Sequence, residues 1–290
     1  MMKLTAAFLL CATTAHAQAV CGIDPHDYAP AASSAMSAPV AAALAAARAT
    51  LTRRDALGTP SATGTLYILG TGMSTMQRFD EGVRRVLSSA AWKGTLPGVR
   101  YVKASKPGMT VEDWNDTSDP MWATAKQKLA AAGGTPLQVG IVLSMLTQEQ
   151  PGINGPPMDT ADLLGNAAAV AFHFPNAVHI NLPHPFTGYL APRYATKVPD
   201  SYIAADALLM RSFAESNPGL AYFFNTRSQG TITDAETGIE WQCSDVDPLD
   251  GHHPIKGALP TATLPNGSGA VKLAVWFLRW LTATMPEVTR

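Results

Sequence analysis

Short apolar runs alternate with longer amphipathic stretches along the chain from residue 65 onward. The apolar runs predict strands, over Leu66–Leu69, Val99–Val102, Leu137–Leu143 and Ala177–Ile180. The stretches between and after them predict helices, over Phe79–Ala91, Met121–Ala132, Thr160–Phe172, Tyr202–Glu215 and Gly269–Thr284. This alternation predicts an α/β fold, a three-layer α/β/α sandwich in which helices cover both faces of a mostly parallel sheet.

The first residues have the pattern of a secretory signal peptide. Lys3 supplies a positive charge, Leu4–Ala15 is apolar but too short to span a bilayer, and residues 15–17 read Ala-His-Ala, a small-x-small cleavage site. We therefore expect residues 1–17 to be removed on export and the mature chain to be secreted or periplasmic. One alternative is a buried N-terminal helix. The other is a lipid anchor on Cys11, which Leu10 disfavours because a lipoprotein site has a small residue there.

The next segment, residues 18–63, differs in composition from the rest of the chain. It is rich in Ala, Ser and Pro and contains a helical run, Pro39–Arg53, with almost no aromatic content. We interpret it as an N-terminal extension that packs on the main domain rather than a separate domain. The main domain then covers residues 64–290, and no internal repeat is visible.

Composition narrows the range of partners. Hydrophobic residues make up 47% of the 290-residue chain and charged residues 15%, which is enough apolar material for a substantial core. The 21 basic and 22 acidic residues form no long run of either sign, so neither nucleic acid nor a membrane surface is an expected partner. We expect a small or neutral partner.

Two cysteines remain after removal of the signal peptide, Cys21 and Cys243. An even pair in an exported chain predicts a disulfide, and two unpaired buried cysteines are the alternative. Two cysteines cannot complete a four-ligand zinc site, and the histidines lack the spacing that would complete one. We therefore predict no metal and no other cofactor.

The most informative loop follows the first strand, where residues 69–74 read Leu-Gly-Thr-Gly-Met-Ser. In a parallel sheet the chemistry lies at the carboxyl ends of the strands, and glycines allow a turn sharp enough to expose a serine hydroxyl there. Ser74 is therefore a candidate nucleophile, and a helix N-cap or turn residue is the alternative. A dinucleotide site is not indicated, because the third glycine and the later acid of that motif are missing.

A second candidate group precedes the last helix, where Asp250 and His253 stand three residues apart. On a turn, this spacing lets the carboxylate bond one imidazole nitrogen while the other nitrogen points at a nucleophile. A solvated surface turn is the alternative. The order serine, aspartate, histidine within one α/β domain favours catalysis. Because Pro254 restricts His253 to an extended backbone, we assign the base to His253 rather than to the adjacent His252.

Together these segments resemble the SGNH (GDSL-type) hydrolase superfamily. The Trp-x-Cys-Ser-Asp stretch at residues 241–245, which leads into Asp250 and His253, is similar to a secreted bacterial branch of it. The resemblance rests on Gly-Met-Ser at residues 72–74, on Gly108 within Lys-Pro-Gly-Met, and on Asp250-x-x-His253-Pro, and it covers roughly residues 64–285. It implies that Ser74 is the nucleophile and that Asp250 and His253 are its carboxylate and base. It also implies that the backbone N–H groups of Ser74 and Gly108 form the oxyanion hole.

Two positions depart from the pattern of this superfamily. Met73 stands where an aspartate usually precedes the nucleophile. The third strand continues into residues 143–148, Leu-Ser-Met-Leu-Thr-Gln, without the asparagine whose side chain donates to the oxyanion. Thr147 or Gln148 could replace it, or the oxyanion hole could lack a side-chain donor. One such donor typically contributes on the order of 10²–10³ in rate.

The function implied is that of a secreted serine esterase, which hydrolyses carboxylic esters through an acyl-enzyme. Its substrate would be a small-molecule or carbohydrate ester, and acetyl esters of carbohydrates are among the candidates. Several aromatic and polar residues are candidates for substrate contact, or else core and rim residues: Trp114, Trp122, His184, Tyr189 and Arg193.

Two other classes of protein stay open. A non-catalytic secreted binding protein could keep the fold with a remnant site, which the missing asparagine motivates. A periplasmic solute-binding protein would need two similar α/β lobes, and the sequence shows no second set of strands after residue 200.

Overall fold

A parallel β-sheet forms the centre of the fold. The computed structural model describes residues 38–90, 92, 94–148, 158–184, 200–224 and 269–286. The strands within these ranges are β1 Leu66–Gly72, β2 Val99–Lys103, β3 Val139–Met145, β4 Val178–Asn181 and β5 Tyr222–Phe223. Their order across the sheet is β2-β1-β3-β4-β5, and every neighbouring pair is parallel. The predicted parallel sheet is confirmed, with β1 and β3 at its centre.

Helices cover both faces of this sheet. Within the described ranges they are α1 Ala38–Thr50, α2 Ser74–Ser88, α3 Glu112–Asn115, α4 Pro120–Ala131, α5 Thr160–His173, α6 Asp200–Ser216 and α7 Gly269–Thr284, with a short 3-10 helix at Pro136–Gln138. Helices α1, α2 and α7 contribute to the core on one face, and α3 to α6 contribute to the core on the other. The predicted three-layer α/β/α arrangement is therefore confirmed. None of these helices combines the length and the apolar character that crossing a membrane requires.

The two faces carry separate apolar cores because successive side chains of a strand point to opposite sides of a sheet. On β1, Leu66 and Ile68 pack in the core with α2 and α7, whereas Tyr67 and Leu69 pack in the core with α4 and α5. All residues of β1 and β3 are buried. Burial on both faces explains why these strands are continuous apolar runs in the sequence.

Several boundaries differ from the sequence prediction. β3 begins at Val139 rather than Leu137, because Pro136–Gln138 forms a 3-10 turn. α2 begins at Ser74 rather than Phe79. Its buried stripe starts one turn earlier than predicted, at Met76, which is fully buried against the same core. Strand β5 and helix α3 were not predicted, since both are too short for a periodic pattern.

The described part of the N-terminal extension contacts the sheet domain. Val40, Leu44 and Leu51 are buried in the same core as α2 and α7. The Tyr222 hydroxyl donates a hydrogen bond of 2.7 Å to the carbonyl of Ala43. This part of the chain thus shares a core with the strands.

Candidate active site

Ser74 lies at the carboxyl end of the central strand β1, where the chain turns directly into α2. Met73 occupies the N-cap position and provides no side-chain cap, and Ser74 is the first helical residue. The N-cap alternative for Ser74 is therefore wrong. The Ser74 side chain is partly exposed, and its hydroxyl has no hydrogen-bond partner within the described ranges. The site thus presents an accessible hydroxyl at the sheet edge where α/β proteins bind ligands.

The turn before Ser74 depends on a glycine. Gly72 has φ of +131°, a conformation that residues with a Cβ rarely adopt. A Cβ there would lie 2.3 Å from the carbonyl oxygen of Met145 on the neighbouring strand β3. The close approach of β1 and β3 at this point therefore requires glycine.

The first turn of α2 carries backbone N–H groups that make no hydrogen bond within the helix. The hydrogen bonds of the helix begin with the one from the N–H of Gln77 to the carbonyl of Met73, at 3.1 Å. The N–H of Ser74 has no acceptor among the described residues, as is normal at a helix N-terminus. The partial positive charge of this terminus favours an anion beside the Ser74 hydroxyl.

The loop after β2 is attached to the loop that carries Ser74. The N–H of Lys106 donates to the carbonyl of Gly72 at 2.9 Å, and the N–H of Met109 closes a turn on the carbonyl of Lys106 at 3.4 Å. Gly108 is the third residue of this turn and has φ of +75°. Its N–H has no acceptor within the described ranges, and a Cβ at this position would meet no atom within 4 Å. In the part of the chain that the structure describes, Gly108 therefore borders open space and its backbone N–H has no acceptor.

The loop after β3 carries the two candidate side-chain donors, Thr147 and Gln148, and each is hydrogen-bonded to a different carboxylate. The Thr147 hydroxyl donates a short hydrogen bond to the Asp206 carboxylate of α6. The side-chain nitrogen of Gln148 donates to the Glu112 carboxylate of α3, also at short distance. A hydroxyl has one hydrogen and an amide nitrogen has two. Within the described ranges Gln148 therefore keeps one N–H without an acceptor, whereas the Thr147 hydroxyl has already donated its only hydrogen.

A buried carboxyl group lies between α2, strand β2 and the loop after β2. Asp80 of α2 accepts hydrogen bonds from the hydroxyl of Tyr101 on β2, at 2.5 Å, and from the hydroxyl of Ser105, at shorter distance. Ser105 in turn donates its N–H to the carbonyl of Gly70 at 2.9 Å. The cluster joins α2 to the loop after β2. Sequence analysis missed Asp80, because it occupies an ordinary position in a polar helix segment.

Burial raises the pKa of Asp80 to about 7, because desolvation outweighs the hydrogen bonds from Ser105 and Tyr101 and the nearby charges of Lys103 and Lys128. In the unfolded chain the pKa is near 3.8. Between these pH values the unfolded carboxyl is ionised while the folded one holds its proton. The contribution of Asp80 to stability is thus fully present below about pH 4 and is lost as the pH rises through about 7.

Replacing Asp80 with asparagine should therefore flatten the pH dependence of stability. The free energy of unfolding of the variant, relative to that of the unmutated protein, should increase as the pH rises from 4 to 7.5. The increase should be up to about 4 kcal/mol, at 1.4 kcal/mol for each pH unit. Urea unfolding at several pH values measures this difference. Parallel curves for the two proteins would contradict the assignment.

A serine–histidine pair lies inside the fold and does not include Ser74. His179 Nε2 of β4 is 3.0 Å from the Ser144 Oγ of β3, and that oxygen is 3.0 Å from the Thr71 Oγ1 of β1. All three side chains are buried. Burial lowers the pKa of His179 to about 3, so the ring stays neutral. Because a substrate cannot reach these atoms, we interpret the row as a structural hydrogen-bond chain across three strands.

Some of the predicted site residues lie outside the described residues. These are Asp250, His252 and His253 of the acid–base segment, Cys21 and Cys243 of the predicted disulfide, and Tyr189 and Arg193. Two other candidates belong to the core and do not line a loop: Trp114 and Trp122 are buried, with ring centroids 4.9 Å apart. Of the two alternatives, substrate contact or core, the structure supports the core, since apolar packing between α3, α4 and α5 covers both rings. His184 is also buried.

Comparisons with known proteins return ester hydrolases among solved structures. No protein-family model matches the chain, and no curated protein matches it significantly. Similar structures include a protein described as an acylhydrolase from Bacteroides fragilis, with 11% identity over 87% of this chain and 100% of that one and a TM-score of 0.47. A family 3 carbohydrate esterase from Clostridium thermocellum has 15% identity over 78% of this chain and 100% of that one, with a TM-score of 0.45. An extracellular lipase from Streptomyces rimosus has 13% identity over 73% and 99%, with a TM-score of 0.36.

Proposed function

We propose that this protein is a serine esterase with Ser74 as its nucleophile, exported after cleavage of residues 1–17. The observation that carries the proposal is the hydrogen bond of 2.9 Å from the N–H of Lys106 to the carbonyl of Gly72. It holds the turn of Gly108 beside the turn of Ser74. A partly exposed serine and two backbone N–H groups that have no acceptor among the described residues thereby come from adjacent loops at one edge of the sheet.

In the proposed mechanism, Ser74 attacks the ester carbonyl while His253 takes the hydroxyl proton. Asp250 bonds the other imidazole nitrogen and stabilises the imidazolium that forms. His253 then gives the proton to the leaving alcohol, and an acyl-enzyme remains on Ser74. Water, activated by the same imidazole, hydrolyses the acyl group and restores the serine. Asp250 and His253 enter this mechanism from the sequence resemblance.

The developing oxyanion would be held by the N–H groups of Ser74 and Gly108, with Gln148 as the side-chain donor. Gln148 is favoured over Thr147 because the single hydroxyl hydrogen of Thr147 is already donated to Asp206. The amide nitrogen of Gln148 donates one hydrogen to Glu112 and retains the other. Glutamine would then supply here the amide donor that asparagine supplies in the superfamily.

Replacing Gln148 with alanine should lower kcat by on the order of 10²-fold with little change in KM, because the contact forms mainly in the transition state. Thr147→Val is the matched variant on the preceding residue, and it should retain a kcat within a few-fold of the unmutated value. Steady-state kinetics on a chromogenic acetate ester measure both. A larger loss of kcat in Thr147→Val than in Gln148→Ala would reverse the assignment.

A fluorophosphonate probe tests the proposed function directly. The probe phosphonylates a serine that is activated by a neighbouring base, and peptide mass spectrometry locates the modified residue. We expect labelling at Ser74, and an excess of acetate ester present during the reaction should slow it, because the ester competes for the same hydroxyl. A folded protein that neither reacts with the probe nor hydrolyses any short-chain ester would favour the non-catalytic binding protein instead.

A further inference from the structure

The Glu112 side chain connects the two loops that flank the proposed oxyanion hole. One carboxylate oxygen accepts the hydrogen bond from the side-chain nitrogen of Gln148, and the other accepts from the hydroxyl of Thr110. Thr110 lies two residues after Gly108, and Gln148 lies in the loop after β3. One side chain therefore contacts both the segment that carries the backbone donor and the residue that carries the side-chain donor.

The backbone supports the same connection. The N–H of Val111 donates to the carbonyl of Thr147 at 3.3 Å, so that the start of α3 lies against the loop after β3. The N–H of Thr110 donates to the Asp113 carboxylate at 2.7 Å, which closes the turn into this helix. Glu112 is thus presented to Gln148 by a segment that is itself held by hydrogen bonds.

The contact between Glu112 and Gln148 decides which end of the Gln148 amide faces the proposed oxyanion hole. An amide has a donor end and an acceptor end, and rotation about its last torsion exchanges them at little intrinsic cost. A carboxylate can only accept, so Glu112 selects the nitrogen and repels the oxygen. The Gln148 side chain is buried, and Glu112 is its only side-chain partner within the described ranges. The orientation of the amide therefore depends on Glu112.

We propose that Glu112 is a positioning residue that orients the Gln148 amide, so that its second N–H points at the oxyanion. This inference rests on the proposed function. Without Glu112 the amide would populate both orientations, and in one of them its oxygen would face the developing negative charge. Glu112 itself contacts no reacting atom in this proposal.

The test is a double-mutant cycle on the full-length mature protein. Glu112→Ala should lower kcat by about 10-fold with KM within two-fold, less than the loss in Gln148→Ala because the donor remains present. In the Gln148→Ala background, the further change Glu112→Ala should have no effect on kcat. Independent losses that multiply in the double variant would overturn the proposal.

A conservative variant separates orientation from structural support. Glu112→Gln can still accept a hydrogen bond from Gln148, but it can also donate to the oxygen, so it should retain more activity than Glu112→Ala and less than the unmutated protein. Asp113→Ala is the matched control, since it loosens the turn into α3 without removing the Glu112 carboxylate. If Asp113→Ala lowers kcat as much as Glu112→Ala does, Glu112 only supports the loop, and the proposal fails.

Failure of this inference can be told apart from failure of the proposed function. If the unmutated protein hydrolyses acetate esters and is labelled at Ser74 while Glu112→Ala keeps full kcat, then the esterase stands and only the role of Glu112 is wrong. If the unmutated protein shows neither hydrolysis nor labelling, both proposals fall. Thermal unfolding of each variant confirms that a loss of kcat is not a loss of fold.

Discussion

Replacing Ser74 with alanine should reduce ester hydrolysis by on the order of 10⁴-fold or more and should abolish fluorophosphonate labelling at the same time. Without the hydroxyl no acyl-enzyme forms, and only the oxyanion donors remain to assist direct attack by water. The substitution removes one oxygen from a partly exposed side chain that has no hydrogen-bond partner in the described ranges. Its effect on stability should therefore be small, and kcat/KM on a chromogenic acetate ester measures the loss in a folded protein.

The same measurement of kcat/KM, made on histidine variants, identifies the residue that takes the proton from Ser74. His253→Ala should be about as damaging as Ser74→Ala, and the double variant should be no worse than either single one, because the members of a triad act as a unit. His252→Ala is the matched control on the adjacent residue and should cost far less. Full activity in His253→Ala, or an equal loss in His252→Ala, would overturn the assignment.

Replacing Gly72 with alanine should have the second largest effect, on stability and activity together. The added Cβ would lie 2.3 Å from the carbonyl oxygen of Met145, a backbone atom of the neighbouring central strand that cannot move alone. The positive φ of +131° adds backbone strain. We expect a loss of about 3 kcal/mol or more in the free energy of unfolding. Any folded variant should also lose on the order of 10²-fold in kcat, because the turn positions Ser74.

A matched glycine separates steric conflict from positive φ. Gly219 has φ of +93°, and a Cβ there would meet no atom within 4 Å. Gly219→Ala should therefore cost only the strain of the left-handed backbone, about 1–2 kcal/mol, with kcat unchanged. Urea unfolding of both variants measures the comparison. Equal losses in the two proteins would show that the contact with Met145 is not what Gly72 relieves.

The candidate side-chain donors to the oxyanion could be predicted only in part from the sequence. The missing asparagine after β3 left three alternatives, Thr147, Gln148 or no side-chain donor, because the loop after a given strand is set by chain order. The choice between them required their partners, Asp206 and Glu112, which lie far along the chain from that loop. Pairwise hydrogen bonds between distant segments have no periodic signature in a single sequence.

The tryptophans show an alternative that the sequence left open. Trp114 and Trp122 were candidates either for substrate contact or for core and rim positions. The structure buries both under α5, where Trp122 lies against Phe174 at 6.2 Å between ring centroids. A large aromatic side chain in a polar segment is buried or exposed according to what packs over it, and that is a property of the assembled layers.

By itself the sequence determined the α/β class, the parallel sheet and the position of Ser74 at the end of β1. These follow from local patterns: apolar runs that must be buried on both faces, and a glycine that lets the chain turn sharply. Only the tertiary structure decided that Lys106 attaches the Gly108 turn to Gly72, that Asp80 is buried against Tyr101 and Ser105, and that Glu112 faces Gln148. The physical reason is that each of these contacts joins segments from different strands, and their geometry exists only once the sheet has brought the strand ends together.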